Sequence, residues 1–180
     1  MELVILDRDG VINRDSRDFI RSPDEWRPLP GSLEAVARLT AAGVRVAVAT
    51  NQSGIARGLF DETVLAAIHH RMSSEIVNAG GQLDKIVYCP HGPGSDCDCR
   101  KPRPGLFEQL ARHYDRDLSN VPCIGDSARD IEAAREAGGR PILVLTGNGR
   151  QAREQLADDP PETYEDLAQA VDRLLGEGRA

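Results

Sequence analysis

Four aspartates fall in two short clusters, Asp7-Arg8-Asp9-Gly10 near the N-terminus and Gly125-Asp126-x-x-x-Asp130 much later, with Thr50 and Lys101 between them. Carboxylates brought close together repel each other unless a cation neutralises them. An all-oxygen set calls for a hard dication, and a site with few protein ligands leaves Mg²⁺ room for waters and a phosphate. Thr50 and Lys101 add a hydroxyl donor and a positive charge, which suit the oxygens of a phosphoryl group in transfer. A lone Asp-x-Asp is usually a turn; the whole ordered set is hard to explain that way.

A second constellation is Cys89-Pro90-His91, five further residues, then Cys97-Asp98-Cys99. Three thiols and one imidazole match a closed, tetrahedral structural zinc site. Arg100 and Lys101 follow at once, so Zn²⁺ held by Cys89, His91, Cys97 and Cys99 would stiffen the segment that places Lys101. Cys123 lies apart in an apolar run and reads as a core thiol.

The elements that position these residues alternate. Apolar runs at 3–6, 44–49, 85–88, 121–124 and 141–145 read as short buried strands. Amphipathic stretches near 32–42, 61–79, 104–114 and 128–137 read as helices, with Asp61 as an N-cap. Gly43, Gly80 and Gly138 stand where glycines end helices. Two C-terminal segments, near 151–157 and 164–175, read as helical, with a break at Pro160-Pro161. Such alternation implies a parallel sheet covered on both faces, an α/β three-layer Rossmann-like fold. Ligands then bind beyond the carboxyl ends of the strands. Every strand but the fifth delivers polar residues there.

Asp7-x-Asp9-Gly10-Val11, Thr50, Lys101 and Gly125-Asp126-x-x-x-Asp130 together resemble the four-motif pattern of the haloacid dehalogenase-like phosphatases, in the right order over residues 3–130. The resemblance implies a sheet of order 5-4-1-2-3. It implies that Asp7 attacks phosphorus to form an aspartyl-phosphate, and that Asp9 serves as acid and then base. It places Mg²⁺ on Asp7, Asp126 and the Asp9 carbonyl, with Asp130 orienting the metal shell or Lys101. Within that superfamily the segment Thr50–Gly58 and the zinc loop resemble the branch acting on a heptose bisphosphate. The short gap between His91 and Cys97 resembles instead the histidinol-phosphate phosphatases. By the same resemblance Asp15, Ser16, Arg17, Asp18, Asn51, Gln52, Ser53 and Arg100 contact the sugar or its second phosphate. Ser127 occupies a further substrate position, where many relatives carry Lys.

Arg8, Arg14, Arg17, Arg57 and Arg100 lie near the motifs in sequence, and guanidinium groups suit bidentate phosphate recognition. At 180 residues the chain suits one domain, 1–180, with the zinc loop at 89–99. No stretch is long enough for a separate cap, so a flap over 10–20 must exclude water. The net charge is −7 without a Lys/Arg-dense segment, which argues against nucleic acid. The first seven residues cannot form a signal peptide, and no apolar run approaches a membrane span. The expectation is a cytoplasmic monomer acting on a small phosphorylated sugar, with no membrane partner.

Overall fold

The computed structural model describes residues 1–177. Six strands form one parallel sheet: β1 (Leu3–Leu6), β2 (Arg45–Asn51), β3 (Lys85–Cys89), β4 (Pro122–Gly125), β5 (Arg140–Val144) and β6 (Glu162–Tyr164). Their order is β3-β2-β1-β4-β5-β6. The first five neighbours are the expected ones, and the sheet extends one strand further. β1 lies at the centre, with Leu6 opposite both Val48 and Ile124.

Six helices cover the sheet: α1 (Ser32–Ala41), α2 (Glu62–Asn78), α3 (Gly105–His113), α4 (Ala128–Glu136), α5 (Gly149–Gln155) and α6 (Leu167–Glu177). Because side chains alternate along a strand, β1, β2 and β4 each feed two cores. Val4, Leu6, Val46, Val48, Ile124, Ile142 and Val144 pack with Leu39 of α1, Ile68 and Met72 of α2 and Val171 of α6. Leu3, Ile5, Ala47, Ala49 and Cys123 pack with Leu106 and Leu110 of α3 and Ala133 and Ala134 of α4. Trp26 is the only tryptophan. It belongs to the first core, is 1% exposed, and its Nε1 has no hydrogen-bond partner.

Asp61 caps α2 as expected, its Oδ1 accepting from Val64 N at 2.8 Å. The correction lies at the C-terminal end, where the helix read at 164–175 begins only at Leu167. Asp166 caps it by accepting from Gln169 N at 2.8 Å. Glu162–Tyr164, two residues upstream of the helix, form β6, with Leu143 opposite Thr163 and Val144 opposite Tyr164. A strand this short shows no periodicity of its own; the open edge of β5 supplies its partners. Among the described residues no helix is long and apolar enough to cross a membrane.

Candidate active site

The ends of β1, β2 and β4 converge on one cavity of about 160 Å³. Asp7 continues β1, its N–H donating to Ile124 O of β4 at 2.8 Å, so the backbone ladder sets where its carboxylate stands. Val11, Ile12 and Asn13 then fold back through N–H bonds to the Arg8 carbonyl. Gly10 turns there with φ +81°, and a Cβ on it would meet Asp126 Oδ2 at 2.1 Å. A Cβ on Gly147 would meet the same oxygen at 2.1 Å. Only bare backbone fits on either side of Asp126.

Lys101 is 2% exposed and lies between two carboxylates, 3.0 Å from Asp7 Oδ1 and 2.5 Å from Asp130 Oδ1. Its Nζ also donates to Ala49 O at 2.8 Å. Burial alone would favour the neutral amine, but Asp130 and Asp7 outweigh it and raise the pKa, so Lys101 stays charged. Burial pushes Asp7 up to about 7 against the pull of Lys101, with Asp130 and Asp9 adding to the rise. Burial likewise pushes Asp126 up to about 8, reinforced by Asp130 and Asp7. Asp7 Oδ1 has the Lys101 ammonium beside it but no well-aligned hydrogen bond.

Oxygens of Asp7, Asp126 and Asp130 lie within 4.8 Å of one another. An octahedral Mg²⁺ with oxygens at ~2.1 Å separates them by ~3–4 Å, so the spacing fits. Asp130 already uses Oδ1 on Lys101 and Oδ2 on Ser127, which donates from N at 3.0 Å and Oγ at 2.5 Å. That bonding caps α4 and suits Asp130 to orient its neighbours. Asp7 and Asp126 are the carboxylates with room for a cation.

Asp9 borders the same cavity. Arg8 grips it from Nε and one terminal nitrogen at 2.9–3.1 Å, Asn13 Nδ2 donates to Oδ1 at 2.9 Å, and Gln52 Nε2 to Oδ2 at 2.9 Å. Burial would raise the Asp9 carboxyl, but Arg8 and the Asn13 and Gln52 donors outweigh it and hold it below the usual range. Arg8 is therefore not at the mouth of the site: it is 1% exposed and points inward.

The predicted substrate contacts separate into two groups. Asp15, Ser16, Asn51, Gln52, Ser53, Arg100 and Ser127 all border the cavity. Arg17 and Asp18 do not: Arg17 lines a shallower hollow with Arg14, and Asp18 one with Arg21. Within the first group, Asn51 and Gln52 spend their amides on the protein. Asn51 clamps the Lys101 backbone, accepting from its N and donating to its O at 3.1 Å each. Gln52 also accepts from Arg8 at 3.1 Å and donates to Thr50 Oγ1 at 2.9 Å. Arg57 lies over the Phe19 ring at the rim, 5.6 Å from its centroid.

Three contributors were hidden in the sequence. Arg129 lines the cavity beside Arg100. His69 backs Arg8 from α2. The fifth strand delivers polar residues after all: Thr146 Oγ1 donates to Gly10 O at 2.6 Å, and Asn148 donates from N to Asp126 Oδ2 at 2.8 Å. Asn148 Nδ2 also reaches Asp15 Oδ2 at 3.0 Å, tying the 10–20 flap to Asp126. A Thr-Gly-Asn beyond a strand end is the signal that would have revealed this turn.

Cys89, His91, Cys97 and Cys99 converge as expected. Cys89 Sγ is 3.8 Å from Cys97 Sγ and 3.5 Å from His91 Nδ1, which is 3.3 Å from Cys99 Sγ. Tetrahedral zinc with Zn–S of ~2.3 Å sets sulfurs ~3.8 Å apart, so these donors fit that ion. Arg100 donates to His91 O at 2.9 Å, and Arg103 to Cys97 O at 2.6 Å. The cluster is thus bonded to the segment carrying Lys101.

Residues 98–170 match a family model described as HAD-hydrolase-like. The chain is 54% identical over 178 residues to the D-glycero-beta-D-manno-heptose-1,7-bisphosphate 7-phosphatase of Bordetella bronchiseptica, covering 98% of this chain and 99% of that one. Its identity to the Pseudomonas aeruginosa protein of the same name is 51%, over 96% and 97% of the two chains. A crystal structure of the B. bronchiseptica D,D-heptose 1,7-bisphosphate phosphatase complexed with magnesium and phosphate superposes with a TM-score of 0.93, over 98% and 99% of the chains. The corresponding Burkholderia thailandensis structure is 40% identical, with a TM-score of 0.75 over 97% and 99%.

Proposed function

Because this chain belongs to the haloacid dehalogenase-like phosphatases, in the family of the heptose-bisphosphate 7-phosphatases it matches end to end, we propose that it removes the 7-phosphate of D-glycero-β-D-manno-heptose 1,7-bisphosphate. The observation that carries the reading is the gathering of Asp7, Asp9, Thr50, Lys101 and Asp126 round one phosphate-sized cavity. The relatives' shared name supports the β configuration at carbon 1. The product, heptose 1-phosphate, suits the synthesis of a nucleotide-activated heptose for lipopolysaccharide.

Asp7 and Asp126, with the Asp9 carbonyl, are the residues that would hold Mg²⁺, with Asp130 orienting them. When bound, the ion offsets the like charges of these carboxylates and of the phosphoryl oxygens, which makes attack by an anion on an anion feasible. Thr50 and Lys101 bind the phosphoryl group. A carboxylate oxygen of Asp7 attacks phosphorus, the bond from phosphorus to the carbon-7 oxygen breaks, and Asp9, which must first take up a proton against the pull of Arg8, gives it to that oxygen. Asp9, now a carboxylate, takes a proton from water as the water oxygen attacks phosphorus. Phosphate leaves, Asp7 is restored as carboxylate and Asp9 as acid. Arg100, with Arg129 beside it and Ser53, Ser16, Asp15 and Ser127 around the rim, offers the polar surface for the sugar and its 1-phosphate.

Zinc on Cys89, His91, Cys97 and Cys99 is structural in this reading, because that set leaves no open position. A single catalytic domain acting as a cytoplasmic monomer goes with this reading. The test compares kcat/KM on the heptose bisphosphate and on histidinol phosphate; a preference for histidinol phosphate overturns the substrate. Asp7→Asn should abolish turnover with an unchanged melt, and retained turnover overturns the nucleophile.

A further inference from the structure

Arg8 stands between the two N-terminal aspartates, and its side chain is among the most deeply buried in the molecule. A buried guanidinium persists only where its N–H groups are answered. Nε and NH2 are answered by Asp9, and NH2 again by Gln52. NH1 points the opposite way, to His69 Nε2 at 3.3 Å. Guanidinium has no lone pair to offer, so Nε2 must be the accepting nitrogen and His69 the neutral tautomer protonated on Nδ1. Burial and the Arg8 charge favour that neutral ring. The Tyr88 ring meets His69 edge-on, with centroids 6.0 Å apart, and Ile68 and Met72 beside it on α2 are fully buried. His69 therefore sits in a wall that holds it still.

Asp9 opens a tight turn, and its carboxylate is held by the side chains of Arg8, Asn13 and Gln52 rather than by a regular element. Arg8 is the bidentate member of that set, so whatever fixes the plane of the guanidinium fixes the plane of the carboxylate. We propose that His69 is a positioning residue for the reaction: through Arg8, and together with Gln52, it aims Asp9 at the oxygen that leaves the phosphorus. The inference rests on the role assigned to Asp9 above. Gln52 links the brace to the phosphoryl side as well, since the same amide nitrogen that reaches Asp9 donates to Thr50 Oγ1.

The test exploits leaving-group chemistry. A sugar alkoxide needs a proton as it departs, whereas p-nitrophenolate does not. His69→Phe keeps the ring volume and removes the acceptor. With the full-length, metal-loaded enzyme, kcat/KM on the heptose bisphosphate should fall roughly tenfold or more, part of the ~10²–10⁴ that a positioned acid supplies, while p-nitrophenyl phosphate changes less than about twofold. On the heptose bisphosphate alone the loss should appear in kcat with KM unchanged. His69→Gln, whose amide oxygen can accept from Arg8, should recover most of it. Equal losses on both substrates, or a loss carried by KM, would reduce His69 to a packing residue and overturn the proposal without touching Asp7. If His69→Phe fails to fold, His69→Leu also removes the acceptor and must show the same discrimination between leaving groups; uniform loss there overturns the proposal too. Failure of the parent reading would look different, as turnover surviving Asp7→Asn.

Discussion

Asp7, Lys101 and Asp130 form a row of alternating charges almost entirely out of water. The residues were legible in the sequence from their types and order, with Asp130 expected to orient Lys101 or the metal shell; that Lys101 also pairs with Asp7 was not, because it depends on how the loop after β3 returns to the end of β1. His69 was not legible. It occupies the buried stripe of α2 between Leu65 and Met72, where one polar side chain among apolar ones does not say what it faces. Its burial has a measurable signature. His69 takes a proton near 6.5 when exposed and near 3 in the fold, driven down by burial and then by Arg8. The unfolded chain thus binds more protons across that window. The contribution is complete above about 6.5 and is lost as pH falls toward 3, by up to ~1.4 kcal/mol per pH unit. His69→Phe lacks this dependence. Denaturant melts should find the stability gap between wild type and His69→Phe narrowing as pH drops from 6.5, and a constant gap would refute the burial of a neutral ring.

On the proposed reading, zinc on the loop after β3 would do at the scale of an element what caps do for a helix, fixing a terminus by an interaction the backbone cannot supply. Its Cys/His spacing was readable because soft ligands in that number have few other uses in one loop. The hydrogen bonds from Arg100 and Arg103 to its carbonyls were not readable, since they depend on the loop's curl. Stripping zinc with a chelator, or Cys99→Ser, should lower the melting temperature and kcat together and leave the Mg²⁺ requirement in place. Unchanged melting and turnover would refute a structural role. β6 escaped notice for the opposite reason: three residues carry no pattern, and only the sheet edge defines them.

Over the whole molecule the sheet separates two apolar layers. The alternation of apolar strands with amphipathic helices made both layers foreseeable, whereas the partnership of α1 with α6 in the first layer required the fold, because the two lie far apart in sequence. Leu39 of α1 is fully buried in that layer and does not line the cavity. Leu39→Ala should cost ~2–5 kcal/mol in denaturant unfolding through the cavity it leaves. KM and the leaving-group preference should be those of wild type, so a changed KM would show that the layer and the site are coupled. Trp26 gives this layer an optical identity. Its indole is sealed among aliphatic side chains with no hydrogen-bonding neighbour, so its emission belongs at short wavelength and its quenching by added iodide should be weak. The Cys/His loop packs against the other layer. Fluorescence will therefore follow loosening around α1, α2 and α6 and will be nearly blind to metal leaving the thiols, an event whose own reporter is thiolate absorbance in the ultraviolet.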